Sequence, residues 1–231
     1  MERAILMASG MGTRMRPITE TTPKPLVEVG GKPMIETVID GLIKRGVDEI
    51  IVVVGYLGEQ FEYLKQKYDH LKIVKNDVYQ TINNISSVYV AKEYLLEGDC
   101  FICEADLFVM DDSIFQAQLE RSCYYGKMVN GHSEDWVFEQ DADGIITRVG
   151  KVGDDVYNMT GVAYFKQKDA KVLYDAMVVE YGKPGYETLF WDDVVNKHIQ
   201  EFQLLVHPIR DDQIVEIDTV AELEEVRRRL V

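Results

Sequence analysis

The sequence predicts an α/β protein: a mostly parallel central sheet flanked by helices, carrying a small β-rich extension. Two patterns lead there. Apolar, β-branched runs, "AILMA" (4–8), "DEIIVVVG" (48–55) and "CFICEAD" (100–106), alternate with helical stretches, and such runs mark strands buried on both faces. From about residue 125 the texture changes to short alternating runs separated by charged and glycine turns.

The elements follow in order. The first strand empties into a glycine-rich, basic loop, "ASGMGTRMRPITETTPKPL" (8–26). A helix runs from Pro33 to Arg45, with proline in its first turn and Gly46 just past its end. After the strand at 48–55 come a helix over about 58–67 and a short strand at "LKIVKN" (71–76). "NNISSVYVAKEYLL" (83–96) opens with asparagine and serine capping signals and continues as an amphipathic helix, ahead of the strand "CFICEAD". Strands joined by crossover helices give a Rossmann-like parallel sheet with helices on both faces. Ligands bind beyond the C-terminal ends of such strands, where the basic loop lies.

"KMVNG" (127–131), "DWVFEQ" (135–140), "IITRVG" (145–150) and "MTGVAYF" (159–165) then form an extension over the sheet's C-terminal edge, with Asp141 to Gly144 as one of the turns. A final helix covers about 219–230. No Pro-, Gly- or Ser-rich linker divides the chain and no repeat is visible, so residues 1–231 are expected to form one domain. Its portions are about 1–124, about 125–218 and the C-terminal helix, about 219–231.

Composition narrows the class. Hydrophobic residues make up 46% and charged residues 28% of 231, the profile of a soluble globular protein. No stretch approaches the roughly 20 apolar residues of a membrane span. "MERAILMASG" lacks an apolar signal core, so a cytoplasmic location is expected. A formal net charge of −15 argues against nucleic-acid binding, and no partner protein is implied. It also sets off Arg14, Arg16 and Lys24, cations clustered in an acidic chain. Cys100 and Cys103 form a lone CxxC inside a strand, where positions three apart face opposite sides; they read as buried hydrophobes.

Gly10-Met11-Gly12 is not a dinucleotide fingerprint, which needs a glycine at Met15, nor a P-loop, since no Gly-Lys-Ser/Thr follows. The longer pattern of Gly10, Gly12, Thr13, Arg14, Pro17, Thr19, Pro23 and Lys24 is more specific. Glycines let backbone N–H groups close on phosphate oxygens as a nest. Arg14 offers a planar fork suited to β- and γ-phosphates, and Lys24 a compact charge suited to the α-phosphate. The competing reading is a glycine turn followed by a solvated basic loop.

Here the sequence resembles the nucleotidyltransferase superfamily, whose signature GxGTRxxPxTxxxPKxL it shows without a gap. Ser9, where alanine or glycine is more usual, is the one slight departure. Within that superfamily "VVVGYLGEQFEYLKQKY" (52–68), "YQTINNISSVYVAKE" (79–93) and "TLFWDDVVNKHI" (188–199) look like bacterial CTP:phosphocholine cytidylyltransferases. The resemblance implies Mg²⁺ held by Asp106, at the end of "CFICEAD", and Asp218, in "VEIDT". A turn residue and a helix N-cap are the plainer readings of these two.

It implies catalysis by Lys24, Arg14 and Asp106. Nucleotide binding would fall to Ala8, Ser9, Gly10, Met11, Gly12, Thr13, Arg14, Lys24, Asn84, Ser87 and Asp106. Asn83, Asn84, Ser86 and Ser87 either read cytosine with amides and hydroxyls or simply cap their helix. Trp136 and Trp191, each beside acid, with Tyr164 and Asp192, either hold a trimethylammonium head or pack in the core.

The function implied is CDP-choline formation from CTP and phosphocholine with release of pyrophosphate. One alternative is a sugar-1-phosphate or an aminoalkyl phosphate or phosphonate as acceptor. Another is a non-catalytic nucleotide-sensing subunit, in which Arg14, Lys24 or Asp106 would be expected to be lost; all three are present.

Overall fold

The computed structural model describes residues 1–230. In chain order the elements are β1 (Glu2–Ala8), β2 (Glu28–Val29), β3 (Lys32–Pro33), α1 (Met34–Arg45), β4 (Glu49–Val54), α2 (Leu64–Lys67), β5 (Leu71–Lys75), α3 (Ile85–Val90), β6 (Asp99–Glu104), β7 (Leu107–Val109), β8 (Cys123–Gln140), β9 (Ile146–Phe165), α4 (Gln167–Glu180), α5 (Trp191–Lys197), β10 (Leu205–Pro208), β11 (Ile214–Glu216) and α6 (Val220–Arg229). A seven-stranded sheet runs β10-β8-β9-β6-β1-β4-β5. β1 pairs in parallel with β4 and β6, β4 with β5, and β10 with β8. β9 is antiparallel to both its neighbours. The expected mostly parallel sheet flanked by helices is what forms.

Two apolar layers cover the sheet. Alternate residues of β1 supply each: Leu6 and Ala8 on the α1 face, Ile5 and Met7 on the other. Cys100 and Cys103 likewise fall in opposite layers, and all three cysteines are free and buried. A third cluster, including Met15, Val29, Met34, Leu223 and Val226, seals α6 against the basic loop. Among the described residues no helix is long and apolar enough to cross a membrane.

The extension differs from its expected form. The four short runs belong to two strands of 18 and 20 residues that make one long hairpin in the same sheet. The expected turn at Asp141–Gly144 joins the two strands, with Gly144 N donating to Asp141 O at 3.0 Å; within them Gly131 (φ 88), Val152 (φ 68) and Asp155 (φ 52) sit at bulges that bend the strands without ending the pairing. The helix expected over 58–67 is a 3₁₀ turn at Gly58–Phe61 followed by the single turn of α2. Only Phe61 and Leu64 bury there, too little apolar stripe for a longer helix. The helix expected over 83–96 is divided, α3 giving way at Ala91 to a 3₁₀ segment, Lys92–Leu96.

Candidate active site

The site opens at the C-terminal ends of β1 and β6. Gly12 adopts a left-handed conformation (φ 59), and a Cβ there would lie 2.8 Å from Lys24 Cβ, so glycine is what lets the loop fold back on the lysine. Thr19 Oγ1 closes the turn by donating to Gly12 O at 2.8 Å. Lys24, 7% exposed, donates from Nζ to Asp106 Oδ2 and Asp218 Oδ1, both at 2.5 Å. Arg14 Nη2 lies 2.7 Å from the same Asp218 oxygen. Burial pulls the Lys24 pKa down, but the two carboxylates outweigh it and raise it above the usual lysine range.

A cleft of ≈ 260 Å³ lies over this cluster. Every residue expected on the nucleotide side lines it except Met11. The Ser9 hydroxyl is engaged with Val53 O at 3.1 Å, and the Ser87 hydroxyl reaches Ser9 Oγ at 3.4 Å. Asn83 and Ser86 are used for structure. Asn83 Nδ2 donates to Thr188 O at 3.2 Å, and Ser86 Oγ to Asn83 O at 2.8 Å.

Asp106 and Asp218 meet, and Glu216 joins them, with one oxygen of each within 4.8 Å of the others. Asp106 Oδ1 is buried without a hydrogen-bond partner. An orphaned carboxylate oxygen within an all-oxygen donor set fits a hard divalent cation such as Mg²⁺. Thr219, not Asp218, caps α6, accepting from Glu222 N, which leaves the Asp218 carboxylate to the site. Sequence reasoning missed Glu216, although it and Asp218 stand two apart in an extended segment, a spacing that puts both on one face. It also missed Glu104, whose carboxyl is pushed well above the ordinary range by burial and by Asp106, Glu216 and Asp192. Desolvation within the cluster and repulsion from Asp106 and Asp218 push the Glu216 carboxyl up, although the residue is exposed to solvent.

A second pocket of ≈ 490 Å³ adjoins the first and shares Arg14, Asn84, Glu104 and Asp218 with it. Trp136 lines it, packed at 5.4 Å and 67° against Phe190, which the sequence reading did not single out. Lys151 Nζ lies 5.7 Å from the Trp136 ring and 5.9 Å from that of Phe190. Asp192 lines the pocket and accepts from the Tyr124 hydroxyl at 3.1 Å. Burial pushes its carboxyl up to about 7, against the pull of that hydrogen bond, with Asp193 adding to the rise.

Two acceptor residues expected from the sequence are not in the pocket. Trp191 is 3% exposed, stacked on Tyr124 at 5.6 Å and edge-on to Phe165, because the first turn of α5 packs it into the core. Tyr164 faces the α1 layer, and its hydroxyl lies 2.9 Å from both Glu2 Oε1 and Asp99 Oδ2, donating its one hydrogen to either, near the opposite ends of β1 and β6.

A strand-end glycine loop that brings Arg14 and Lys24 to clustered carboxylates, on a mostly parallel sheet with a second pocket alongside, is an arrangement suited to nucleotidyl transfer. The chain belongs to the nucleotidyl transferase family, whose sequence model matches residues 3–136. It is 54% identical over 220 residues to the 2-aminoethylphosphonate cytidylyltransferase of Lancefieldella rimae, covering 95% of this chain and 89% of that one. It is 35% identical over 233 residues to the choline-phosphate cytidylyltransferase of Streptococcus pneumoniae, covering 97% of each. The solved structure of CTP:phosphocholine cytidylyltransferase from Streptococcus pneumoniae matches it with a TM-score of 0.92 at 33% identity, over 100% of this chain and 99% of that one.

Proposed function

We propose that this chain is a cytidylyltransferase that joins CMP, taken from CTP, to an aminoalkyl phosphonate of the 2-aminoethylphosphonate type, releasing pyrophosphate. The observation that carries the acceptor is the make-up of the second pocket. A trimethylammonium head needs several aromatic walls, whereas a primary ammonium donates three hydrogen bonds and needs carboxylates. Trp191 and Tyr164 are withdrawn into the core, and Lys151 stands within cation–π range of the remaining corner, Trp136 and Phe190. Carboxylates are plentiful: Asp192, Glu134 and Asp135 line the same pocket. The 54% identity to an aminoethylphosphonate enzyme supports the same choice over the phosphocholine expected from the sequence. Phosphocholine is the second reading, favoured by Trp136 lining the pocket and by the pneumococcal likeness.

The chemistry asks little of a general base, since a phosphonate near neutrality is already an oxyanion. Backbone N–H groups of the loop and the Arg14 fork bind the triphosphate, and Lys24 supplies charge to its α-phosphate. Asp106 and Asp218, with Glu216 beside them, would hold Mg²⁺, which when bound neutralises phosphate charge. The test crosses CTP, UTP, ATP and GTP with 2-aminoethylphosphonate, phosphocholine, phosphoethanolamine and glucose-1-phosphate, reading pyrophosphate. CTP with 2-aminoethylphosphonate is expected to give the highest kcat/KM. Phosphocholine used equally well or better would overturn the acceptor assignment, and a preference for another nucleotide the donor assignment.

A further inference from the structure

Asn84 stands where the two clefts meet, and the backbone dictates which way its amide faces. The N–H of Trp191, at the start of α5, donates to Asn84 Oδ1 at 2.9 Å. An N–H can only donate, so the side-chain oxygen must face it and the NH₂ group must turn away. Asn84's own backbone N–H is satisfied by Asn83 Oδ1 at 2.8 Å. Among the described residues Asn84 Nδ2 makes no hydrogen bond, and the side chain lines both the nucleotide cleft and the acceptor pocket. The other residues common to both are Arg14, Glu104 and Asp218. Asn84 is thus an amide donor at the junction, held by a residue whose ring is locked in the core.

We infer that Asn84 is a catalytic residue whose Nδ2 donates to the non-bridging oxygens of the α-phosphoryl group during transfer. This rests on the nucleotidyl-transfer reading of the site. In that step an oxygen of the acceptor bonds to the α-phosphorus. The bond from that phosphorus to the oxygen bridging to the β-phosphate breaks, and pyrophosphate leaves with the electron pair. With its oxygen held by the Trp191 N–H, the amide is a dipole of fixed orientation at the junction of the two clefts, so little reorganisation is needed as charge redistributes. Cytosine reading, one of the two roles the sequence left open for this asparagine, would place the base at the junction with the acceptor pocket; capping, the other, is not made by its side chain.

Asn84→Asp and Asn84→Ala separate the roles. The aspartate keeps an oxygen for the Trp191 N–H and removes both donors; the alanine removes donors and clamp without adding charge. Both should lower kcat by about 10²-fold. Both variants should melt a few degrees below the parent, Asn84→Ala having orphaned the Trp191 N–H and Asn84→Asp having added a carboxylate beside Glu104 and Asp218. The CTP-to-UTP ratio of kcat/KM should be unchanged in both. Asn84→Ala keeping kcat while the acceptor KM rises would reduce Asn84 to a clamp and overturn the inference. A collapsed CTP-to-UTP ratio with kcat retained would overturn it in favour of base reading. Rates are taken with whichever acceptor the parent turns over fastest, so an error over aminoalkyl phosphonates leaves the comparison intact. Absence of pyrophosphate release by the parent with every acceptor would overturn both readings.

Discussion

Enclosing Asp192 in the acceptor pocket costs the fold stability, and the sign of that cost can be followed with pH. Burial raises its carboxyl to about 7, against about 3.9 for a free aspartate. Between those values the folded protein holds a proton that the unfolded chain has released, so stability falls as pH rises from about 4 to about 7 and stays lower above. The return is charge: above that range the pocket carries an ionised carboxylate that would meet the ammonium of the proposed acceptor. Asp192→Asn keeps an oxygen for the Tyr124 hydroxyl and removes the titration. Its melting temperature is expected to exceed the parent's at pH 8, the gap narrowing steadily toward pH 4. Its acceptor KM at pH 8 should rise about tenfold or more, as for loss of a hydrogen bond to a charged group. The parent's KM should climb toward the variant's as pH falls below 7, and subtracting the variant's profile removes the acceptor's own titration. Equal acceptor KM values at pH 8 would place the ammonium elsewhere.

Among the elements, the β8–β9 hairpin sets the character of the acceptor pocket, because its register places Lys151 directly opposite Trp136. The lysine ammonium near the indole competes with any quaternary ammonium seeking the same ring. A cation–π contact of this kind is worth about 0.5–1 kcal/mol at an exposed site. Lys151→Met should therefore raise the phosphocholine-to-2-aminoethylphosphonate ratio of kcat/KM by about three- to fivefold; an unchanged ratio would remove Lys151 from acceptor selection. That pairing could not be read from the sequence. The bulges at Gly131, Val152 and Asp155 break the alternation of apolar and polar residues into short runs, so the hairpin's full length was hidden. Helix α4 was not anticipated at all: Val178 and Val179 are 45% and 49% exposed while Glu180 is buried, which breaks the apolar period. The parallel strands were legible because burial on both faces leaves unbroken β-branched runs, Arg14 and Lys24 because the loop signature fixes their spacing, and Asp106 and Asp218 because the family resemblance pointed to carboxylates just past two strands. Trp191 and Asp192 are adjacent and both buried, and that the ring enters the core while the carboxylate lines the pocket depends on Tyr124 and Phe165, partners distant in the chain.

At the scale of the whole molecule, both apolar layers draw on both halves of the chain. Leu6 and Val52 share one layer with Tyr164 and Ile214, and Ile5 and Ile51 share the other with Phe165 and Trp191. The sheet itself crosses between the halves where Cys100–Cys103 of β6 pair with Val162–Phe165 of β9. Neither half can bury its own apolar surface alone, so the chain is expected to unfold as one cooperative unit. The two tryptophans, Trp136 and Trp191, both lie in the second half, whereas most of the nucleotide cleft is built by the first. Tryptophan fluorescence therefore reports one half and far-ultraviolet circular dichroism reports the whole. The two thermal midpoints should coincide. CTP at a hundred times its Kd adds about 2.7 kcal/mol to the folded state, and for a chain of this length that moves the midpoint by roughly 5–11 °C. The shift should be the same by both probes, because stabilising the phosphate loop must stabilise the core that Trp191 occupies. A fluorescence midpoint that stays in place while the dichroism midpoint rises would divide the chain into two units and place the acceptor portion outside the cooperative fold.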